Sequence, residues 1–270
     1  MDFASKPLNT PISHFEDCKT WSKFLTSSVS FNNTMFSISR IAEHFNTNLE
    51  EYHVIFTSGA TAAAKLVSES FEFTPNGITD KGTFAFLVDN HTSIVGMREI
   101  ASDKGANICC IQVPEAKHAV QSGFTGSSKS NCNNLFVYPA QSNFSGDKYP
   151  LDWIQGVHDG CICDQTNSNG SKWYVFLDAA CFVSTNQLDL DIYKPDFVCI
   201  SFYKIFGYPT GLGALLVHHE AAKVLKKTYF GGGTVSMSVT PARHHVLKET
   251  LHDRPISNVT VDSIMDIFQT

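Results

Sequence analysis

Residues 173–217, WYVFLDAACFVSTNQLDLDIYKPDFVCISFYKIFGYPTGLGALLV, contain three short apolar runs, Trp173 to Leu177, Phe197 to Ile200 and Gly213 to Val217. The runs are continuously apolar rather than alternating, the pattern of strands buried on both faces of a sheet. Two of them stop abruptly on polar chemistry, Asp178 after the first and Ser201-Phe202-Tyr203-Lys204 after the second. A strand that crosses a core and ends on a charged residue delivers that residue to the carboxyl edge of the sheet, where α/β folds keep their ligand sites.

The same alternation extends toward the N-terminus. Strand patterns cover Tyr52 to Phe56, Phe84 to Val88, Ile108 to Val113 and Leu135 to Tyr138. Between them, helical spacing runs over Ser37 to Phe45, Ala60 to Phe71, Thr92 to Ala101 and Leu151 to Val157. Strands separated by helices predict an α/β protein, a three-layer α/β/α arrangement on a mainly parallel sheet. Ala119 to Asn134 and Asp159 to Ser171 are rich in Gly, Ser and Asn, without apolar periodicity, and read as surface loops. Residues 1–35 read as a weakly structured lead-in, 36–235 as the sheet domain, and 236–270 as a tail with no place in the sheet.

A chain of 270 residues with 43% hydrophobic and 17% charged composition can bury a substantial core. Its net charge of −6 opposes nucleic-acid or anionic-membrane binding and leaves a small molecule or another protein as partner. No apolar run reaches the roughly 18 residues of a membrane span, and Met1 to Pro11 lacks a signal core, so a cytoplasmic location is expected. The eight cysteines are scattered and read as reduced thiols in that compartment. Cys161-x-Cys163 lacks the second pair a zinc site requires and sits in a loop, where a surface role is the ordinary one.

Three strand ends carry reactive groups. Thr57-Ser58-Gly59-Ala60-Thr61-Ala62-Ala63 opens a helix with small residues, so free backbone N–H groups and the Thr61 hydroxyl can cup a phosphate. An ordinary capped turn gives the same letters. Asp178 at a strand end needs a cationic partner if buried, which a protonated pyridine nitrogen would supply; a helix N-cap is the alternative. Lys204 lies between Tyr203 and Ile205, and such apolar neighbours disfavour the ammonium and suit a Schiff-base nucleophile, although many such lysines simply extend to solvent.

The segments TSGATAA, DNHTSIVGMREIA, YPAQSNFSGDKYPLDWI, FLDAACFVSTNQLDL and FVCISFYKIFGYPTGLGALLV resemble the class V aminotransferase and cysteine desulfurase family. With KTYFGGGTV, they resemble more narrowly the N-terminal domain of eukaryotic molybdenum cofactor sulfurases, over about residues 36–235. The resemblance implies the large domain of a fold type I enzyme dependent on pyridoxal 5'-phosphate. It implies that Lys204 carries the cofactor, Asp178 pairs with the pyridine nitrogen and His91 stacks on the ring. Ala60, Thr61, Ser201 and Tyr203 match positions around the phosphate, and Asn143 matches the one that bonds the ring hydroxyl. At Cys181 the bacterial desulfurase pattern has a glutamine, and the cysteine reads as a packing residue.

The resemblance further implies a homodimer, L-cysteine as sulfur donor and the molybdenum cofactor as acceptor. The family's persulfide-forming cysteine lies in a later, smaller domain with no counterpart in this sequence, so weak or no turnover by this chain alone is expected. A free-standing cysteine desulfurase or class V lyase, and a non-catalytic cofactor-binding relative, are the competing readings. Phe230-Gly231-Gly232-Gly233-Thr234 is the candidate for close backbone approach to the cofactor or a partner subunit.

Overall fold

The computed structural model describes residues 31–75, 77–123, 131–162, 172–207, 211–227, 229, 235–241 and 244–247. The expectations for residues 1–30, Cys163, Phe230 to Thr234 and the tail beyond residue 247 lie outside them. In chain order the elements are α1 (Phe31–His44), β1 (Tyr52–Thr57), α2 (Ala60–Ser70), β2 (Thr83–Leu87), α3 (Thr92–Val95), α4 (Met97–Asp103), β3 (Asn107–Ile111) and α5 (Val113–Ser122). There follow β4 (Asn133–Pro139), α6 (Trp153–His158), β5 (Lys172–Asp178), α7 (Leu190–Tyr193), β6 (Phe197–Ser201), α8 (Phe202–Phe206), β7 (Gly213–His218), α9 (His219–Ala222), β8 (Val235–Val239) and β9 (His244–Leu247).

Seven strands form one sheet in the order β1-β7-β6-β5-β4-β2-β3. The pairs from β6 to β3 are parallel, whereas β7 runs antiparallel to both β1 and β6. The connection from Ser201 to Gly213 explains this exception. It is too short for the crossover of a dozen or more residues that a parallel return needs, so the chain turns straight back. Gly213 is thereby paired with both Thr57 and Ser201, at the carboxyl ends of β1 and β6.

Strand periodicity divides the core into two layers. One face carries Tyr52, Phe56, Phe136, Tyr138, Val175, Leu177, Val198 and Ile200, packed with Phe45 of the α1 end, Ala116 of α5 and Trp153 of α6. The other carries Ile55, Phe84, Phe86, Phe176, Phe197, Cys199 and Leu215 beneath Ala63, Ala64 and Val67 of α2 and Met97 of α4. Continued by two residues, this second face ends on Thr57, Asp178, Ser201 and Gly213. The three-layer α/β/α arrangement on a mainly parallel sheet is therefore as expected.

Several local expectations give way. The expected loop from Ala119 begins inside helix α5, which a capping box between Gln112 and Glu115 and Pro114 in the first turn start firmly. The same cap ends β3 at Ile111, short of Val113. The loop's far end also contributes to β4, where the Asn134 side chain accepts the Thr83 N–H at 2.8 Å. The helix expected over Thr92 to Ala101 is split at Gly96, where glycine's weak helix preference favours an interruption. Cys161 is buried rather than on a surface loop, because its turn folds back against α6 with Cys161 N–H on Gly156 O. Helix α1 begins at Phe31, within the stretch expected as lead-in. Beyond Thr234, β8 and β9 pair with each other in a separate antiparallel sheet. Among the described residues no helix is long and apolar enough to cross a membrane.

Candidate functional site

The carboxyl edge of the sheet gathers four strand ends and the loops that leave them. At the end of β1, Gly59 adopts φ 140°, a conformation L-residues rarely take, and serves as N-cap of α2. Thr57 Oγ1 donates to Gly59 O at 2.9 Å and steadies the turn. The first N–H groups of the 11-residue α2 thus open toward the edge, with Ala60 half-buried and Thr61 exposed beside them.

Gly213 sets how closely this turn approaches the sheet. A Cβ there would stand 2.5 Å from Ile200 O and 2.8 Å from Gly59 Cα. Both obstacles are backbone, so neither can step aside. Gly213→Ala is expected to destabilise the fold by about 2 kcal/mol, as overpacking does, seen as a lower urea midpoint at unchanged slope.

At the end of β5, Asp178 is 9% exposed. Its Oδ1 accepts the Ala180 N–H at 3.0 Å and lies 3.4 Å from Cys199 Sγ. Its Oδ2 has no partner, and no cation pairs with it, among the described residues. At the end of β6, Ser201 is 2% exposed and its hydroxyl has no hydrogen-bond partner among the described residues. A buried polar atom left this way costs stability unless a ligand completes it.

Helix α8 carries Tyr203, which is exposed, and Lys204, which is half-buried. Lys204 Nζ donates to Asn143 Oδ1 at 2.6 Å. Asn143 comes from the turn after β4, so residues 61 apart in sequence meet here. His91 is exposed after β2, and its Nδ1 accepts the Ser93 N–H at 3.2 Å, capping α3. Capping is the ordinary role for such a histidine. Cys181, half-buried, precedes the 3₁₀ turn Phe182–Ser184.

Two further groups at this edge carried no functional signal in the sequence. Asn90 donates from Nδ2 to Leu87 O at 2.8 Å and Val137 O at 2.9 Å, strapping the His91 loop to β4 and leaving its buried Oδ1 without a partner among the described residues. Asp89 accepts from Tyr149 OH at 2.6 Å and Ser145 Oγ at 3.4 Å, tying that loop to the turn that bears Asn143. Their position directly after a buried strand is the one feature that could have marked them.

The edge therefore presents a helix N-terminus, a buried carboxylate with one uncommitted oxygen, an unpartnered hydroxyl and a tethered lysine amine. That donor set suits an anionic phosphate at one end and a cationic ring nitrogen at the other.

The class-V aminotransferase family profile matches residues 39–250. A molybdenum cofactor sulfurase of Bombyx mori is 47% identical over 223 residues, covering 79% of this chain and 27% of its own length. The Homo sapiens molybdenum cofactor sulfurase is 48% identical over 219 residues, covering 80% of this chain and 24% of its own. The chain thus spans about a quarter of the length of these curated relatives. Among solved structures, the cysteine desulfurase CsdA of Escherichia coli shares the fold, with TM-score 0.63 and 16% identity over 95% of this chain and 63% of that one.

Proposed function

Because the chain belongs to the class-V aminotransferase family, we propose that its sheet domain binds pyridoxal 5'-phosphate on Lys204 and serves a sulfurtransferase of the molybdenum cofactor sulfurase type. The carrying observation is the convergence at one edge of Asp178 Oδ2, the unpartnered Ser201 hydroxyl and the Lys204 amine. When bound, such a cofactor supplies an electron sink that makes bonds of an amino-acid substrate labile.

The chain's own residues divide the work. The α2 N-terminus at Ala60 and Thr61, with Ser201 and Tyr203, would hold the phosphate. Asp178 would keep a proton on the ring nitrogen through Oδ2. Asn143 would orient the ring hydroxyl, and His91 would cover the ring face while its Nδ1 remains committed to Ser93. Lys204 Nζ would carry the cofactor and, once freed by substrate, hold a proton within reach of Asn143 Oδ1.

The reading takes L-cysteine as donor, the molybdenum cofactor as acceptor and a homodimer as the assembly; the names of the sulfurase relatives support the acceptor. Joined to the remaining sequence of its sulfurase relatives, the chain is expected to release alanine from L-cysteine and deliver its sulfur to the molybdenum cofactor. Alanine release with no sulfur on that acceptor would favour a general desulfurase; neither product would sink both readings.

Ser201→Ala separates stability from binding. Removing an unpartnered buried hydroxyl is expected to stabilise the cofactor-free protein by about 1 kcal/mol, while losing one phosphate donor weakens pyridoxal phosphate binding about ten-fold. Thermal melting and a spectroscopic cofactor titration check the two signs.

A further inference from the structure

We infer that Cys199 is a positioning residue for this site, its thiol holding one oxygen of Asp178 so that the other faces the cofactor's ring nitrogen. The inference rests on the pyridoxal phosphate reading above. Cys199 and Asp178 are directly paired in the parallel ladder of β6 and β5, and their side chains share the α2 face. Cys199 is fully buried, and Sγ lies 3.4 Å from Asp178 Oδ1.

Among the described residues, both contacts of the carboxylate, with the thiol and the Ala180 N–H, fall on Oδ1. The carboxylate is therefore gripped on one side only, and Oδ2 is left uncommitted. Burial first, and then the neighbouring Asp178 charge, push the thiol well above the usual cysteine range. It remains S–H, able to donate and unable to act as a thiolate nucleophile. A donor on Oδ1 fixes the orientation of the carboxylate and so directs Oδ2 toward the place of the ring nitrogen.

The test compares Cys199→Val, which keeps apolar volume and removes the donor, with Cys199→Ser, which keeps a donor. Valine is expected to raise the dissociation constant of pyridoxal phosphate about five-fold, the contribution of one ordinary hydrogen bond, since S–H is a weak donor. It should also shift the visible band of the bound cofactor. Serine should bring affinity within about two-fold of wild type and restore the band. Wild-type affinity and spectrum in Cys199→Val, or equal losses in both variants, overturn the inference.

Infrared spectroscopy keeps it decidable if valine does not fold. In the cofactor-free chain one S–H stretching band should move to higher wavenumber in Asp178→Leu, which removes the acceptor, and an unmoved set of bands overturns the contact. Failure of the wild-type chain to take up pyridoxal phosphate, by contrast, sinks the cofactor reading, and this inference with it.

Discussion

Lys204→Ala protein, incubated with pyridoxal phosphate, treated with borohydride and digested, is expected to retain no cofactor. Wild-type protein handled in the same way should retain it on the peptide containing Lys204. The amine is the atom at this edge able to bond an aldehyde carbon, and its neighbours suit that use. Asn143 Oδ1 sits 2.6 Å from Nζ and holds the side chain toward the loops that would flank the ring. Lys204 is half-buried and makes no ion pair among the described residues. Its removal is therefore expected to change stability by less than about 0.5 kcal/mol, the range of surface substitutions. Loss of the adduct at unchanged melting temperature is the expected pair of results; an adduct on another lysine would refute the assignment.

Asp178→Asn should have opposite effects on binding and on stability. The carboxylate is nearly buried and pairs with no cation among the described residues that would offset its desolvation. An asparagine would keep an Oδ1 acceptor for the Ala180 N–H and the Cys199 thiol while removing the charge. The cofactor-free variant is expected to melt above wild type, with a gain of about 1 kcal/mol. Binding should move the other way. An amide at the Oδ2 position donates to a ring nitrogen instead of holding its proton, which removes a charge-assisted contact and weakens cofactor binding about 100-fold, or roughly 2–3 kcal/mol. Calorimetry on both forms measures the two signs together. A variant that binds as tightly as wild type would show that Asp178 serves the fold and not the ring.

Gly213→Ala and Ser201→Ala probe the same edge from the protein's side. The first disturbs the seat of the α2 turn through backbone contact alone, and the second removes a hydroxyl that the fold leaves unsatisfied.

Much of this was legible in the sequence because continuous apolar runs have one economical use, as strands covered on both faces. Trp173 to Leu177 and Phe197 to Ile200 announced such strands, and each handed a polar residue to the carboxyl edge. The helix Val113–Ser122 was less legible, since its polar face hides the period and its start depends on the cap made by Gln112 and Glu115. Burial of Cys161 likewise follows from a turn folding back on α6, which composition does not encode.

By itself, then, the sequence determined a mainly parallel α/β sheet and the residues Asp178, Ser201 and Lys204 at its strand ends, since periodicity and strand length depend on neighbours along the chain. The tertiary structure alone decided which groups meet across that edge. It turned β7 back against β1 and β6, seating Gly213 against Gly59, and it brought Asn143 to Lys204 and Cys199 to Asp178. Such pairings depend on strand order and register, which the packing of the whole sheet selects and no local window contains.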